Sequence, residues 1–206
     1  MATTTTAVTL IPLLAVSPTK EEVTAQAEKN LTLIRQEGAM EKYGQAFMDE
    51  LRAPIQPRAK MNRLKKLADK ISGAVVPHSA CRNGCSHCCN ISAIITQTEA
   101  NALATASGRK AKQLSGPPPS SEAIMKYFRV PCPFLKKGRC SVYEDRPLVC
   151  RLQFNIADNP HFCDTAIEPK DSHVTMLNVH QLEEGYMMAF LKDTWGDIRD
   201  FFPPSA

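Results

Sequence analysis

The sequence predicts a mainly α-helical protein with a small, irregular, cysteine-rich core and few short strands, an α+β fold dominated by helices. Residues 19–73 and 174–192 carry apolar side chains at the spacing of amphipathic helices. All eight cysteines of the chain lie between these two segments. The connection 113–121 contains three consecutive prolines, which neither a helix nor a central strand accepts.

This pattern divides the chain into four regions. The predicted regions are a disordered Thr-rich tail (1–18), a helical N-terminal region (19–76), a cysteine-rich module (77–170) and a C-terminal helical region (171–206). The longest apolar run, Ala7 to Val16, is too short for a membrane span of about 20 residues and lacks a basic flank. We therefore expect no membrane segment, no export signal and a cytoplasmic location.

Local signals mark the starts and ends of several elements. Thr19 and Glu22 form a capping box, so the first helix should begin there. Thr96 and Glu99 form a second capping box, which predicts another helix directly after the first cysteine motif. Gly138 should occupy the turn of a hairpin between two short strands.

Residues 52–70 form a basic segment, and an amphipathic helix is predicted from Pro57 onward. The segment holds seven basic residues against one acid, Asp69, although the whole chain carries a net charge of only +4. The basic residues are Arg52, Arg58, Lys60, Arg63, Lys65, Lys66 and Lys70. A solvated helix face is the simplest explanation, and Gly73 is the expected C-cap. The alternative is a surface for nucleic acid or an acidic protein, which the lack of interleaved aromatic residues disfavours.

The cysteines form two motifs. The first holds Cys81, Cys85, Cys88 and Cys89 within nine residues, and the second holds Cys132, Cys140, Cys150 and Cys163. An even number allows disulfides, but without an export signal the thiols should stay reduced, and closely spaced reduced thiols indicate metal ligands. Thiolate suits zinc, copper(I) and iron–sulfur clusters and does not suit magnesium or calcium. We therefore predict that all eight cysteines are metal ligands.

The number and kind of metal centres stay open at this point. Cys88 and Cys89 are adjacent, and in an extended segment their side chains point to opposite sides. Either they serve two centres, or one of them is not a ligand. Eight sulfurs complete two four-coordinate zinc sites, or supply four ligands to one [4Fe–4S] cluster and leave four for other roles.

Other polar residues lie beside the cysteines in sequence. His87 and His161 are substitute ligands in principle, although we expect structural or surface roles for both. Four arginines are close enough to a cysteine to offset the negative charge of several thiolates: Arg82, Arg139, Arg146 and Arg151.

The two motifs together resemble a known family. CRNGCSHCC followed by CPFLKKGRCSVYEDRPLVCR is similar to the YkgJ-type cysteine-cluster proteins, the CxxCxxCC family of zinc- or iron-chelating domains. The resemblance covers residues 81–163, although the first interval holds Arg82, Asn83 and Gly84 where the family name implies two residues. It implies metal binding by these cysteines and no settled activity. Flagellin lysine N-methylase, an iron–sulfur protein, resembles this family in its cysteine motifs, which favours iron.

Three functions agree with these observations. The leading hypothesis is a metal-binding protein whose eight cysteines chelate an iron–sulfur cluster or zinc. The first alternative is a metal-dependent protein-modifying enzyme resembling flagellin lysine N-methylase, but we find no glycine-rich nucleotide loop and assign no catalytic residue. The second is an interaction or nucleic-acid-binding module with structural zinc and residues 52–70 as its contact surface. The C-x3-C-x2-C spacing also occurs in radical SAM enzymes, but no strand–helix series follows it.

Overall fold

A computed structural model describes residues 17–203, so residues 1–16 of the predicted tail and residues 204–206 lie outside the described part. The helices are α1 (Lys20–Gln36), α2 (Ala39–Arg52), α3 (Pro57–Val75), α4 (Gln97–Ser107), α5 (Ser121–Met125), α6 (Leu148–Leu152), α7 (His180–Ala189) and α8 (Ile198–Phe201). The strands are β1 (Ile94–Thr96), β2 (Leu135–Lys136), β3 (Arg139–Cys140) and β4 (Trp195–Asp197). Helices dominate, which confirms the predicted fold class. None of the described helices is long and apolar enough to cross a membrane.

Both predicted capping boxes start helices. Thr19 Oγ1 accepts a hydrogen bond from the backbone N–H of Glu22 (3.1 Å), and the Glu22 carboxylate accepts one from the N–H of Thr19 (2.7 Å). Thr96 and Glu99 make the same exchange before α4, and Gly108 caps the end of that helix in the left-handed conformation. Each box satisfies backbone donors that the first helical turn leaves free, so these starts are fixed by local sequence.

The predicted hairpin joins β2 to β3. Leu135 pairs with Cys140, and Lys136 pairs with Arg139. Lys137 and Gly138, between the strands, both have positive φ (50° and 73°), the conformation of a type I′ turn. The hairpin places Cys140 at the end of a fixed turn.

The larger hydrophobic core joins the N-terminal helices to α6. Phe47 of α2 and Leu64 and Ile71 of α3 are fully buried in it, and Leu148 of α6 packs in the same cluster. The C-cap predicted at Gly73 is wrong, because α3 continues two residues further to Val75, which is buried in this core. The core thus supports α6, the helix that carries Cys150.

A second, smaller core brings the C-terminal segment back to the cysteines. β4 pairs antiparallel with β1, so that Ile94 lies opposite Asp197. The buried apolar residues of this core are Ala93, Ile95, Ala100, Leu103, Phe134, Val142, Ile198, Phe201 and Phe202. Residues 195–202 therefore pack against the segment between the two cysteine motifs.

Residues 174–179 were predicted as the start of a helix and are extended instead. The backbone N–H of Ile156 donates to the carbonyl of Thr175 (2.9 Å), and the N–H of Leu177 donates to the carbonyl of Phe154 (3.0 Å). This pairing with the segment after α6 satisfies backbone groups that a helix would have used. The helix, α7, begins only at His180, and it ends at Ala189, before the predicted end near Lys192.

Candidate metal centre

The eight cysteines come from different parts of the fold. Cys81 and Cys85 lie in the loop after α3, and Cys88 and Cys89 lie in a short 3-10 helix (His87–Asn90). Cys132 precedes β2, Cys140 ends β3, Cys150 lies in α6 and Cys163 ends a second short 3-10 helix (His161–Cys163). All eight are free thiols, of which Cys88 is exposed and the other seven are half-buried. Such thiols are accessible enough to exchange a proton for a metal.

Two adjoining cavities bring these cysteines together. The first thiol cavity, of about 100 Å³, is lined by Cys81, Cys85, Cys88, Cys89, Cys132, Cys140 and Cys150. The second thiol cavity, of about 330 Å³, is lined by Cys81, Cys85, Cys88 and Cys163. Cys81, Cys85 and Cys88 line both cavities, so the two cavities adjoin each other. All eight residues predicted from the sequence therefore face one continuous region.

The thiols are gathered but not yet arranged as a coordination shell. Within residues 17–203, no group of three or more His, Cys, Asp or Glu side chains stands ready to hold a metal ion. The donor chemistry still fits zinc or an iron–sulfur centre, because the cavities present free thiols and these metals prefer sulfur. Metal binding would therefore draw the sulfurs closer together, which couples it to local folding.

The surroundings favour the protonated form of six of the cysteines. Burial raises the pKa of Cys81, Cys132, Cys140 and Cys150, and for Cys150 the neighbouring thiols add to the effect. Burial likewise raises the pKa of Cys163 to about 11. The hydrogen bond between Cys88 and Cys89 holds the pKa of Cys88 well above its usual range. A metal that binds here must displace protons, so its affinity should increase with pH.

Arg146 supplies positive charge to the first thiol cavity. Its guanidinium lies 3.9 Å from the centre of the Tyr143 ring and donates a hydrogen bond to the Tyr143 carbonyl (3.0 Å). Its charge lowers the pKa of Cys88 and Cys140, against the larger effects that raise it. Arg146 therefore favours thiolate over thiol at the site, as expected for a residue beside a multi-thiolate centre.

Comparison with known protein families gives the same assignment. Residues 80–166, which include all eight cysteines, match the model of the CxxCxxCC family, described as a "putative zinc- or iron-chelating domain". The similarity predicted from the two cysteine motifs is thus confirmed over residues 80–166. No curated protein and no solved structure matches the chain. The match begins after α3 and ends before α7, so the helices at both ends of the chain lie outside it.

Arg151 holds α6 in place through buried hydrogen bonds, and it also lies on the wall of the first thiol cavity. Its guanidinium is buried and donates to the carbonyls of Arg146 (2.8 Å) and Glu144, and it pairs with the carboxylate of Asp69 in α3. Of the other predicted arginines, Arg82 is an exposed residue on the wall of the first thiol cavity, and Arg139 is exposed on β3. The four arginines thus have different roles.

Glu99 supports the same helix from the other side and was not predicted as a site residue. Its carboxylate is buried, accepts a hydrogen bond from the N–H of Leu148 (2.8 Å), the first residue of α6, and accepts another from the Tyr186 hydroxyl (2.9 Å). A carboxylate is favourable at a helix N-terminus because the backbone N–H groups there are unpaired. Glu99 therefore positions the helix that carries Cys150.

Arg199 of α8 ties the C-terminal segment to the first cysteine motif. Its buried guanidinium donates to the carbonyls of Cys89 (3.1 Å), Ile91 (3.0 Å) and Val130 (3.0 Å). It also pairs with buried Asp197 (3.0 Å), whose carboxylate accepts a hydrogen bond from the N–H of Ala93 (2.8 Å). Nothing in the local sequence around Arg199 indicates this role, because its partners lie about seventy to over one hundred residues away.

Asn155 is a third unpredicted residue at the site. Its side-chain amide lies 3.1 Å from the sulfur of Cys163, and its backbone N–H lies 3.3 Å from the sulfur of Cys81. The sequence placed Asn155 only at the start of an irregular stretch. An asparagine three residues after the end of a helix gives no sign that it would contact two cysteines.

The two histidines near the cysteines differ in position. His87 lies on the wall of the second thiol cavity. The ring of His161 packs edge-on against the ring of Phe162, with 4.9 Å between ring centres. Neither belongs to a ready group of metal ligands within the described residues.

Several basic residues of α3 contact neighbouring elements of the protein. Lys60 donates to the carbonyl of Leu51, Arg63 pairs with Glu50 (3.6 Å), and Lys65 donates to the carbonyl of Asp145 (3.2 Å). Burial lowers the pKa of Lys65. Lys70 lies 5.4 Å from the centre of the Tyr43 ring, while Arg58 and Lys66 are exposed. Part of the positive charge of this segment therefore belongs to residues that support neighbouring elements.

Proposed function

We propose that this protein binds metal through its eight cysteines, which hold zinc or an iron–sulfur cluster in two adjoining groups of thiolates. The observation that carries the proposal is the convergence of two separate cysteine motifs on two adjoining cavities. The match of this segment to a zinc- or iron-chelating family supports it. Reduced thiols persist in the cytoplasm, which we propose as the compartment of the protein.

The cavities suggest how the thiols divide. We assign Cys89, Cys132, Cys140 and Cys150 to the first group, because they line the first thiol cavity and do not line the second. The N–H of Cys132 donates to the carbonyl of Cys89 (2.7 Å), which joins the two motifs within this group.

The remaining four cysteines form the second group: Cys81, Cys85, Cys88 and Cys163. These four line the second thiol cavity. The division assigns the adjacent residues Cys88 and Cys89 to different groups. Four thiolates per group match the requirement of a structural zinc ion or of a [4Fe–4S] cluster.

The chain's own residues would prepare each group for metal. Arg146 and Arg199 place positive charge near the first group, which offsets the negative charge of four thiolates. The two cores hold α6 and the β2–β3 hairpin in place while sulfurs move inward. Bound zinc would tie these elements together, whereas a cluster would also provide one-electron redox chemistry.

The test is metal and acid-labile sulfide content, with an absorption spectrum, of the full chain purified without oxygen. Zinc without visible colour would assign two structural centres. Iron with an equal amount of acid-labile sulfide and broad absorption at about 400 nm would assign an iron–sulfur centre. Absence of stoichiometric zinc and iron, both before and after reconstitution with each metal, would overturn the proposal.

A further inference from the structure

Asn155 contacts two cysteines of the second group with two different donors. The side-chain Nδ2 lies 3.1 Å from Cys163 Sγ, and the backbone N–H lies 3.3 Å from Cys81 Sγ. The residue is only 3% exposed. Both distances are within the range of an N–H···S hydrogen bond. One donor is the backbone N–H and the other is the side-chain amide of the same residue.

The orientation of the side-chain amide is fixed by its other end. Asn155 Oδ1 accepts hydrogen bonds from the N–H of Ala157 (3.1 Å) and from the Thr175 hydroxyl (3.0 Å). A backbone N–H can only donate, so the atom facing Ala157 must be the oxygen. The NH₂ group therefore faces Cys163 Sγ and, at 3.4 Å, the carbonyl of Asn159.

The backbone of Asn155 is also anchored. Its carbonyl accepts a hydrogen bond from the N–H of Ala80 (3.0 Å), directly before Cys81, and the residue forms a β-bridge with Met176. The donors to Cys81 and Cys163 thus keep a constant spacing. A pair of N–H groups held in this way stabilises thiolate over thiol, against the effect of burial.

We propose that Asn155 is the positioning residue of the second thiol group. This inference rests on the proposed function. Asn155 fixes the position of the sulfur of Cys81 relative to that of Cys163. It also withdraws electron density from both sulfurs through N–H···S hydrogen bonds. Hydrogen bonds of this kind orient metal ligands and tune the bound metal.

Asn155→Asp is the decisive variant, because it keeps the shape of the side chain and replaces the donor by a carboxylate oxygen. Asn178→Asp is the matched control, because Asn178 is exposed. The substitution adds the same negative charge at a position outside the thiol cavities. The full chain, stripped of metal, is titrated with cobalt(II), whose thiolate charge-transfer absorption reports on each group, and then with zinc against a chelator.

We expect Asn155→Asp to weaken metal binding at one group by about tenfold to a hundredfold, the usual loss for a residue behind a metal ligand. The charge-transfer absorption of that group should shift, while the other group and the Asn178→Asp control bind as the wild type does. In an iron-loaded chain the same variant should lower the reduction potential, because a hydrogen bond to sulfur stabilises the reduced centre.

The outcomes separate the two proposals. A wild-type chain that binds no metal would remove the proposed function itself. A wild type that binds metal, beside an Asn155→Asp variant with the same affinity and spectrum, would overturn only the role of Asn155. If Asn155→Asp fails to fold, Thr175→Val decides: it removes one hydrogen bond that orients the amide, and we expect a smaller spectral shift. An unchanged spectrum in that variant would contradict the inference.

Discussion

The guanidinium of Arg199 donates a hydrogen bond to the carbonyl oxygen of Cys89, 3.1 Å away, so the last helix holds the first cysteine motif in place. This contact joins a segment outside the CxxCxxCC match to the matched residues. We infer that the functional unit includes residues 195–202 in addition to the matched segment.

Replacing Arg199 should destabilise the protein and impair the first thiol group. Arg199→Met removes the donor to three carbonyls and leaves the buried carboxylate of Asp197 without its ion-pair partner, a loss of about 3–5 kcal/mol. Urea unfolding and metal content measure the effect, and Arg139→Met, at an exposed position, is the control. An unfolding curve for Arg199→Met equal to that of the wild type would show that Arg199 does not hold the first cysteine motif in place.

Glu99 provides a graded test of support for α6. Glu99→Gln turns an acceptor of three hydrogen bonds, from the N–H groups of Leu148 and Thr96 and from the Tyr186 hydroxyl, into a group that must face one donor with its NH₂. We therefore expect a loss of about 1–3 kcal/mol. Tyr186→Phe removes only one of these bonds and should cost about 1 kcal/mol. Glu122→Gln, at an exposed position, should have no effect on denaturant unfolding. If Glu99→Gln and Tyr186→Phe were as stable as the wild type and Glu122→Gln, Glu99 would not support α6.

Two glycines in helices should respond to alanine in opposite directions. A Cβ at Gly185 in α7 would lie 2.7 Å from Leu51 Cδ1, so Gly185→Ala should destabilise the α2–α7 contact by about 1–3 kcal/mol. A Cβ at Gly73 in α3 meets no atom within 4 Å, so Gly73→Ala should stabilise by about 0.5–1 kcal/mol through helix propensity. Thermal unfolding distinguishes the signs, and a stabilising Gly185→Ala would argue against close packing there.

The metal-free protein should lose stability in alkaline solution. Burial raises the pKa of Cys163 from 9.0 to about 11, so the folded protein keeps this proton at pH values where the unfolded chain has lost it. This contribution is complete below pH 9 and disappears as pH rises toward 11. We expect chelator-treated protein to unfold more easily across this range, and Cys163→Ser to show a weaker dependence. A stability that rises from pH 9 to 11 would contradict the direction of the shift.

The sequence predicted those features that depend on neighbouring residues. The capping boxes at Thr19 and Thr96 and the turn at Gly138 are local, since a few residues contain both partners of each interaction. The cysteine spacing predicted the chemistry for the same reason.

Features that depend on distant partners could not be predicted in this way. The extended segment 174–179 pairs with residues about twenty positions earlier, which overrides its helical spacing. Arg199 and Asn155 act on cysteines about 110 and 74 residues away in the chain. Periodicity contains no information about such pairs, and only the folded chain brings them together.

The central claim is that the eight cysteines hold metal in two groups. The most direct measurement is metal content per chain of the wild type beside Cys150→Ser and Cys163→Ser, purified without oxygen. We expect each variant to lose the metal of its own group, with weaker folding around it, and to retain metal in the other. Full wild-type metal content in both variants would contradict the claim.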